Sequence, residues 1–410
     1  MERLFDTAAA LFWKKGYAAT STREIAAALG IQQASLYHHI GSKEDLLYKL
    51  CVSSLEQLLT DVRSKIGEVE DPLGRIYVLM RAHLTTLLSY QMRHVTMLTQ
   101  LRAMSERHYS EILALRKSYA DLVRTVLEEA QGAGALRADV PVKYLNLALL
   151  NILNWAVVWF RRDQELQADR LTDLFAPIYL TGAARPGAAR DAIGGYRAGR
   201  RQEGSKSRAN TGEDGRQSTS ERMLETAAVL FSKKGYEATS TREIAAVLRI
   251  QKPSLYYHIQ GKEDLLYTIC KSSLEQIRKD VEHALEGVED PLERMGRLFG
   301  AHMESMLGDQ EKHAATLSEM RALSAPRLAE VIALRDAYER LVRTAIADAQ
   351  QAGVLRNDIP AKYLSLYLLG LMNRVEVWFR RSGPLSPVQL GDLLLTIFLM
   401  GAVGAAGTGT

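Results

Sequence analysis

Apolar residues recur along this chain at intervals of three and four, and no stretch sustains alternation, so helices are expected throughout and strands nowhere. Glu2 to Lys15 puts Leu4, Phe5, Ala8, Leu11 and Phe12 on one face, and Gly16 follows where a C-terminal cap belongs. Ser21 and Glu24 form an S-x-x-E capping box before a short helix with Ile25, Ala26 and Leu29 inward. After a brief break at Gly30-Ile31, Gln33 to Ile40 forms another short helix, with Leu36 and Ile40 toward the core. Gln32, Gln33, Ser35, Tyr37 and His38 are then left mostly outward. Ser42 caps a long helix whose first turn carries Glu44 and Asp45. Asp71-Pro72 opens the next by the rule of N-cap followed by proline. Further helical patterns cover about 72–90, 93–103, 106–131, 141–162 and 168–181, with Gly132-Ala133-Gly134 as an interruption.

The same pattern then returns. STREIAAALGIQQASLYHHIGSKEDLL, from Ser21 to Leu47, comes back as STREIAAVLRIQKPSLYYHIQGKEDLL, from Ser240 to Leu266. The offset of 219 residues holds without a gap from Thr7/Thr226 to Gly182/Gly401. A period this long is a duplicated domain, not a solenoid unit. The expected organisation is all-α: a helix-turn-helix domain at 1–50, a helical body at 51–182, a linker at 183–220, a second helix-turn-helix domain at 221–269, a second body at 270–402 and a disordered tail at 403–410. The last two helical patterns of each repeat are apolar around most of their surface, as in LNLALLNILNWAVVWF, and suit an interface between the repeats.

Composition adds little to this and removes several alternatives. Cys51 and Cys270 are equivalent positions in apolar helical contexts, which suits buried thiols in a reducing cytoplasm and supports neither a disulfide framework nor a CxxC metal site. The apolar run nearest to a membrane span, Val142 to Phe160, holds Lys143, Asn146, Asn151 and Asn154, so no membrane partner is expected. Net charge is +4. Residues 183–220 alone hold eight Arg or Lys against four acids, so the repeats together are near neutral and any affinity for a polyanion must come from locally placed cations. That segment, rich in Gly, Ala, Ser and Arg, reads as a flexible tether with an r.m.s. span of roughly 30–37 Å. HExxH, GxSxG, P-loop and dinucleotide fingerprints are absent, which leaves an enzyme little support.

Two short helices joined by a tight turn, the second with outward polar side chains, make a helix-turn-helix. The N-terminal side chains of the second helix meet base edges in the major groove. Gln33 is placed to bind adenine through its amide, whereas its counterpart Lys252 would take guanine acceptors or a phosphate. Thr20, Thr22, Tyr37 and Lys43 carry hydroxyls or charge at the edges of the pair, as do Thr239, Thr241, Tyr256 and Lys262 in the second copy, and such groups clamp phosphate. Gln32 and Gln251 precede the reading helices.

Phe12…Gly16-Tyr17, Thr22-x-x-Ile25-Ala26…Leu29-Gly30-Ile31…Leu36-Tyr37-x-His39-Ile40-x-Ser42-Lys43-Glu44-x-Leu46 resembles the tetracycline-repressor (TetR) family of transcriptional regulators. The second copy matches from Phe231 to Leu265, with Arg249 for the glycine and Gln260-Gly261 where Gly41-Ser42 stand. The resemblance implies a DNA-binding domain, a helical effector domain, dimerisation through the last two helices, and repression relieved by a small molecule. By position it makes Gln33, Ser35, Tyr37 and His38 DNA contacts and gives Lys43 a phosphate; the second set is Lys252, Ser254, Tyr256, Tyr257 and Lys262. Family members are usually one repeat long and homodimeric, so the fusion suggests a covalent pseudo-dimer on an imperfect palindrome; either the repeats pair inside one chain, which the tether's span permits and which is expected over a homodimer, or each pairs with its copy in another chain.

Effector residues are harder to name from sequence. His83, His94, Arg102, Asn154 and Trp159, with His302, His313, Arg321, Asn373 and Trp378, are polar or aromatic groups matched across the copies of the body. Cationic and amide groups beside an apolar cavity would suit an acidic or acyl-type effector such as a coenzyme A thioester. No cofactor or metal is expected. The competing function is an effector-binding or scaffold protein without DNA binding, and the polar faces around Gln33 and Lys43 argue against it.

Overall fold

The computed structural model describes residues 1–160, 166–182, 218–251, 257 and 259–400. They form two units, divided between Leu180 and Thr181. Every regular element among the described residues is helical.

In the first unit, α1 (Glu2–Lys15), α2 (Thr22–Leu29) and α3 (Gln33–Tyr37) form a small head. The first helix ends at Gly16 with φ 84°, a backbone that a side chain would strain. The capping box at Ser21 is complete, with the Ser21 hydroxyl accepting from the Glu24 amide and the Glu24 carboxylate accepting from the Ser21 amide. Ser42 accepts from the Asp45 amide and starts α4 (Lys43–Ile66). Asp71 accepts from Gly74 N and, with Pro72 in the first turn, starts α5 (Pro72–Ser89). The body continues through α6 (Gln91–Thr99), a 3-10 turn at Leu101–Ala103, α7 (Glu106–Gly132), α8 (Val142–Trp159) and α9 (Ala168–Thr181).

The domain boundary expected at residue 50 falls inside α4, and the core does not stop there. Phe5, Ala8 and Phe12 of α1, Ile25 of α2, Leu36 of α3 and Leu47 of α4 form one buried cluster with Met97, Leu101 and Ile112 of the body. Head and body of this unit therefore share one packed core, with α4 running through both. Cys51 lies in the same cluster as a buried free thiol.

The second unit repeats this with α10 (Thr219–Lys234), α11 (Thr241–Leu248), α12 (Lys262–Leu285), α13 (Pro291–Gly308), α14 (Gln310–Glu319), a 3-10 turn at Met320–Ala322, α15 (Ala325–Gln351), α16 (Ala361–Asn373), α17 (Val375–Trp378) and α18 (Pro387–Met400). Its head and body share the cluster of Phe231, Ile244, Leu265 and Leu266 with Ala315, Met320 and Val331. Cys270 is likewise buried and free.

Three details differ from the sequence reading. Helix α10 begins at Thr219 behind a full capping box of Ser218 and Glu221, so the expected linker ends earlier than residue 220; most of that linker, the 403–410 tail and Arg161-Arg162 lie outside the described residues. Helix α8 stops at Trp159, because Phe160 turns extended and the Gln91 amide donates to the Val157 and Phe160 carbonyls. By length and composition α8 could cross a membrane, but more than half of it is buried inside the first unit, as a core helix would be. In the second unit the matching helix is broken at Arg374 into α16 and α17.

Candidate nucleic-acid interface

The turn between α2 and α3 sets the exposed face. Gly30 closes α2 in the left-handed region, φ 71° and ψ 29°, and Leu36 and Ile40 anchor the following segment in the core. Gln32, Ser35, Tyr37 and His38 are exposed, and Gln33 is half-buried. Gln33 Nε2 donates to Thr22 Oγ1 at 3.0 Å, and Thr22 Oγ1 is 3.2 Å from the Tyr37 hydroxyl. Thr22, Gln33 and Tyr37 thus form one network that ties the start of α2 to α3. The Gln33 side chain is held at the N-terminal end of α3, the end that meets base edges in a helix-turn-helix. In the second unit Gln251 and Tyr257 are exposed and Thr241 is half-buried, whereas Lys252, Ser254 and Tyr256 lie outside the described residues.

Two pairs expected at phosphate serve the fold instead. Thr20 is buried and its hydroxyl donates to the Gly16 carbonyl at 2.8 Å; buried Thr239 does the same to Gly235 at 2.8 Å. The phosphate role read for Thr20 and Thr239 is corrected accordingly, because a buried hydroxyl satisfied within its own turn has nothing left to offer DNA. Lys43 sits over the Tyr17 ring, 4.3 Å from its centroid, and its ammonium donates to the carbonyls of Tyr17, Ala18 and Thr20 at 2.8, 3.3 and 2.9 Å. Lys262 repeats this with Tyr236, donating to its carbonyl at 2.9 Å from 4.1 Å above the ring. Both lysines brace the turn before α2 or α11, and burial pushes their pKa values down. Burial, with Glu44 nearby, pushes the Tyr17 hydroxyl up to about 12.

The head is also clasped to the body by groups that the sequence reading passed over. Buried Arg93 on α6 pairs with Glu2 and Asp6 of α1, both at 2.7 Å, and donates to the Glu2 carbonyl. At the N-terminus of α4, Glu44 accepts from the Ser105 amide at 2.7 Å. The signal available in sequence was weak, since acids in a first helical turn suit the helix dipole whether or not a partner exists.

The expected effector residues divide. His83 and His302 are buried and paired with Tyr119 and Tyr338 at 2.6 and 2.7 Å. His94 and His313 are buried on α6 and α14, and His313 Nδ1 lies 3.2 Å from the Ser273 hydroxyl. Burial lowers the pKa of His83 and His302 to about 3, and that of His94 and His313 to about 4, so all four imidazoles are neutral near pH 7. Arg102 and Arg321 lie on the 3-10 turns with exposed side chains, which removes them from the interior; the cation expected for an acidic effector is not supplied by this pair. Asn154 donates to the Leu150 carbonyl of its own helix. Trp159, Asn373 and Trp378 are half-buried.

Comparison with known proteins decides the family. The family model described as bacterial regulatory proteins, tetR family, matches residues 4–50 and 223–268, which are the two heads. The model described as a tetracyclin repressor-like C-terminal domain matches residues 69–183 and 288–402, the two bodies. The chain belongs to the TetR family. It carries the family's two-part unit twice. Among its relatives, the transcriptional repressor KstR2 of Mycobacterium tuberculosis is 28% identical over 183 residues, covering 44% of this chain and 90% of that protein. KstR2 of Mycolicibacterium smegmatis is 26% identical over 193 residues, covering 45% and 91%. The crystal structure of PfmR from Thermus thermophilus, a TetR-family regulator, aligns at 32% identity over 44% of this chain and 98% of that one, with a TM-score of 0.42. Each of these relatives corresponds to one repeat of this chain.

Proposed function

We propose that this TetR-family chain is an effector-responsive repressor that binds one imperfectly palindromic operator as a covalent pseudo-dimer. The observation that carries this reading is the presence of two family-matched heads in one chain with non-identical reading edges. Gln33, Ser35, Tyr37 and His38 read one half-site, and Lys252, Ser254, Tyr256 and Tyr257 read the other, with half-sites about 34–36 Å apart. Gln33 favours adenine, and Lys252 favours guanine acceptors or phosphate. The apolar last helices of each repeat supply the pairing surface, and the covalent connection raises the effective concentration of one repeat for the other to about the mM range. The curated relatives are named as transcriptional repressors, which supports repression as the mode of control. The working compartment is the cytoplasm.

The effector enters the helical body. Four neutral buried imidazoles favour hydrogen bonding over charge pairing, which supports an acyl-type effector, largely apolar with a neutral polar group. A gel shift with the DNA upstream of its own gene tests the regulator: binding in low salt supports it, and no shift leaves an effector-binding or scaffold protein. Sedimentation gives the assembly. One chain per particle supports pairing inside the chain, and a stable two-chain species counts against it.

A further inference from the structure

Among the described residues one non-glycine residue has positive φ. It is Arg249, at φ 56° and ψ 39°, and it stands at the turn between α11 and the second reading segment. The equivalent turn of the first unit has Gly30, at φ 71° and ψ 29°. The two turns close alike: the amides of Gly30 and Arg249 return to Ala27 and Ala246 at 3.1 Å, and those of Ile31 and Ile250 to Ala26 and Ala245 at 3.0 Å. The backbone is the same, but glycine adopts it freely and a residue with a Cβ pays steric strain there.

The Arg249 side chain is exposed and makes no hydrogen bond or ion pair among the described residues. Strain kept at an exposed position points to a role outside the fold. The location suggests which. A reading helix enters the major groove with its N-terminus foremost, so the turn before it runs beside the phosphates that line the groove. A guanidinium there meets phosphate oxygens with a planar fork of donors.

We propose that Arg249 is a phosphate-binding residue of the second head, so that the second half-site is held by charge more strongly than the first. The inference rests on the reading of this chain as a DNA-binding regulator and deepens it.

The test uses the full chain, a short mixed-sequence duplex and salt from about 50 to 200 mM, because a phosphate contact is independent of sequence. Arg249→Gly is expected to weaken binding roughly two- to tenfold, the worth of one ordinary hydrogen bond, and to reduce the slope of log affinity against log salt by about 1. The same variant melts at a higher temperature, since the strain is gone; an arginine with a structural role would lower it. Arg249→Gln loses the slope without gaining stability, and Arg249→Lys retains the slope. Gly30→Arg is the reciprocal gain. A Cβ built at Gly30 meets no atom within 4 Å, so this variant should bind more tightly with a steeper slope while melting lower. A wild-type slope in both Arg249→Gly and Arg249→Gln overturns the proposal and leaves the regulator intact. Failure of the unaltered chain to bind any duplex overturns the regulator reading, and the proposal with it.

Discussion

His108 Nδ1 lies 2.8 Å from Glu44 Oε1, joining the first turn of α7 to the first turn of α4. The His108 ring stacks on Tyr48, with centroids 4.1 Å apart. In the second unit Arg327 takes this place, pairing with Asp264 at 3.0 Å and lying over Tyr267, while the Ser324 amide holds Glu263 at 2.9 Å. Both units fasten body to head at the helix that follows the reading segment. The first uses an imidazole stacked on a tyrosine and the second a guanidinium lying over one.

Hydrogen bonds from Ser105 and then His108 hold the Glu44 carboxyl down to about 2, below its ordinary 4.5. A depressed carboxylate contributes stability that is present above pH 4.5 and lost as pH falls through 2. Glu44→Gln should therefore destabilise the protein by roughly 1 kcal/mol at pH 7. The gap from wild type should narrow below pH 4.5. Denaturant midpoints between pH 7 and pH 3 check this, and a gap independent of pH would show that the carboxylate charge is irrelevant.

Thr22 accepts from Gln33 and meets the Tyr37 hydroxyl, so Thr22→Val frees both side chains without changing the size of residue 22. These are partly exposed contacts, and stability should fall by less than about 1 kcal/mol. DNA binding should fall further than stability does, because the reading edge loses its preorganisation. Melting curves beside gel shifts separate the two. Equal affinity for the variant and wild type would make the network a purely structural one.

Much of this was legible in sequence, for definable reasons. The duplication, the caps at Ser21, Ser42 and Asp71, and the inward Leu36 and Ile40 rest on local rules that the fold obeys. Thr20 and Lys43 were misread because local pattern cannot tell an outward polar group from one folded back onto its own turn. The carbonyls that hold Lys43 lie 23–26 residues away in the chain. The clasps of Arg93 and Glu44 span 61–91 residues, beyond any window of periodicity. Ser218 was missed for a simpler reason: its capping box follows a polar segment and merges with it.

His94 has neither ring nitrogen hydrogen-bonded among the described residues, although it is fully buried. Burial first, then Arg93, lowers its pKa to about 4 from an ordinary 6.5. Stability carried by a neutral buried histidine is present above pH 6.5 and drains as pH falls toward 4, at about 1.4 kcal/mol per pH unit for each such proton. His94→Leu removes one of these protons and leaves no acceptor stranded. It should be neutral or stabilising at pH 7 and should flatten the pH dependence between 6.5 and 4. Chemical denaturation across that window reads the slope; an unchanged slope would mean that His94 is protonated in the folded state.

Arg374 and Glu376 mark a difference between the two bodies, since the first unit has Trp155 and Val157 there. In the first unit the helix runs unbroken through these positions to Trp159; in the second it breaks at Arg374 and resumes for one turn. Glu376 is buried, its Oε2 has no hydrogen-bond partner among the described residues, and burial pushes its pKa up to about 7 against the opposing pull of Arg374. A carboxyl raised in this way costs nothing below pH 4.5, where it is neutral folded or unfolded. The cost grows as pH rises from 4.5 through 7, because the unfolded chain releases the proton first. Removing Glu376 alone would strand the Arg374 charge, so both must change together. Arg374→Trp with Glu376→Val installs the residues of the first unit. The double variant should gain roughly 1–3 kcal/mol at pH 8, most of it gone by pH 5, and should show more helix by circular dichroism as the break closes. A gain equal at both pH values would assign the effect to packing instead of to the buried carboxyl.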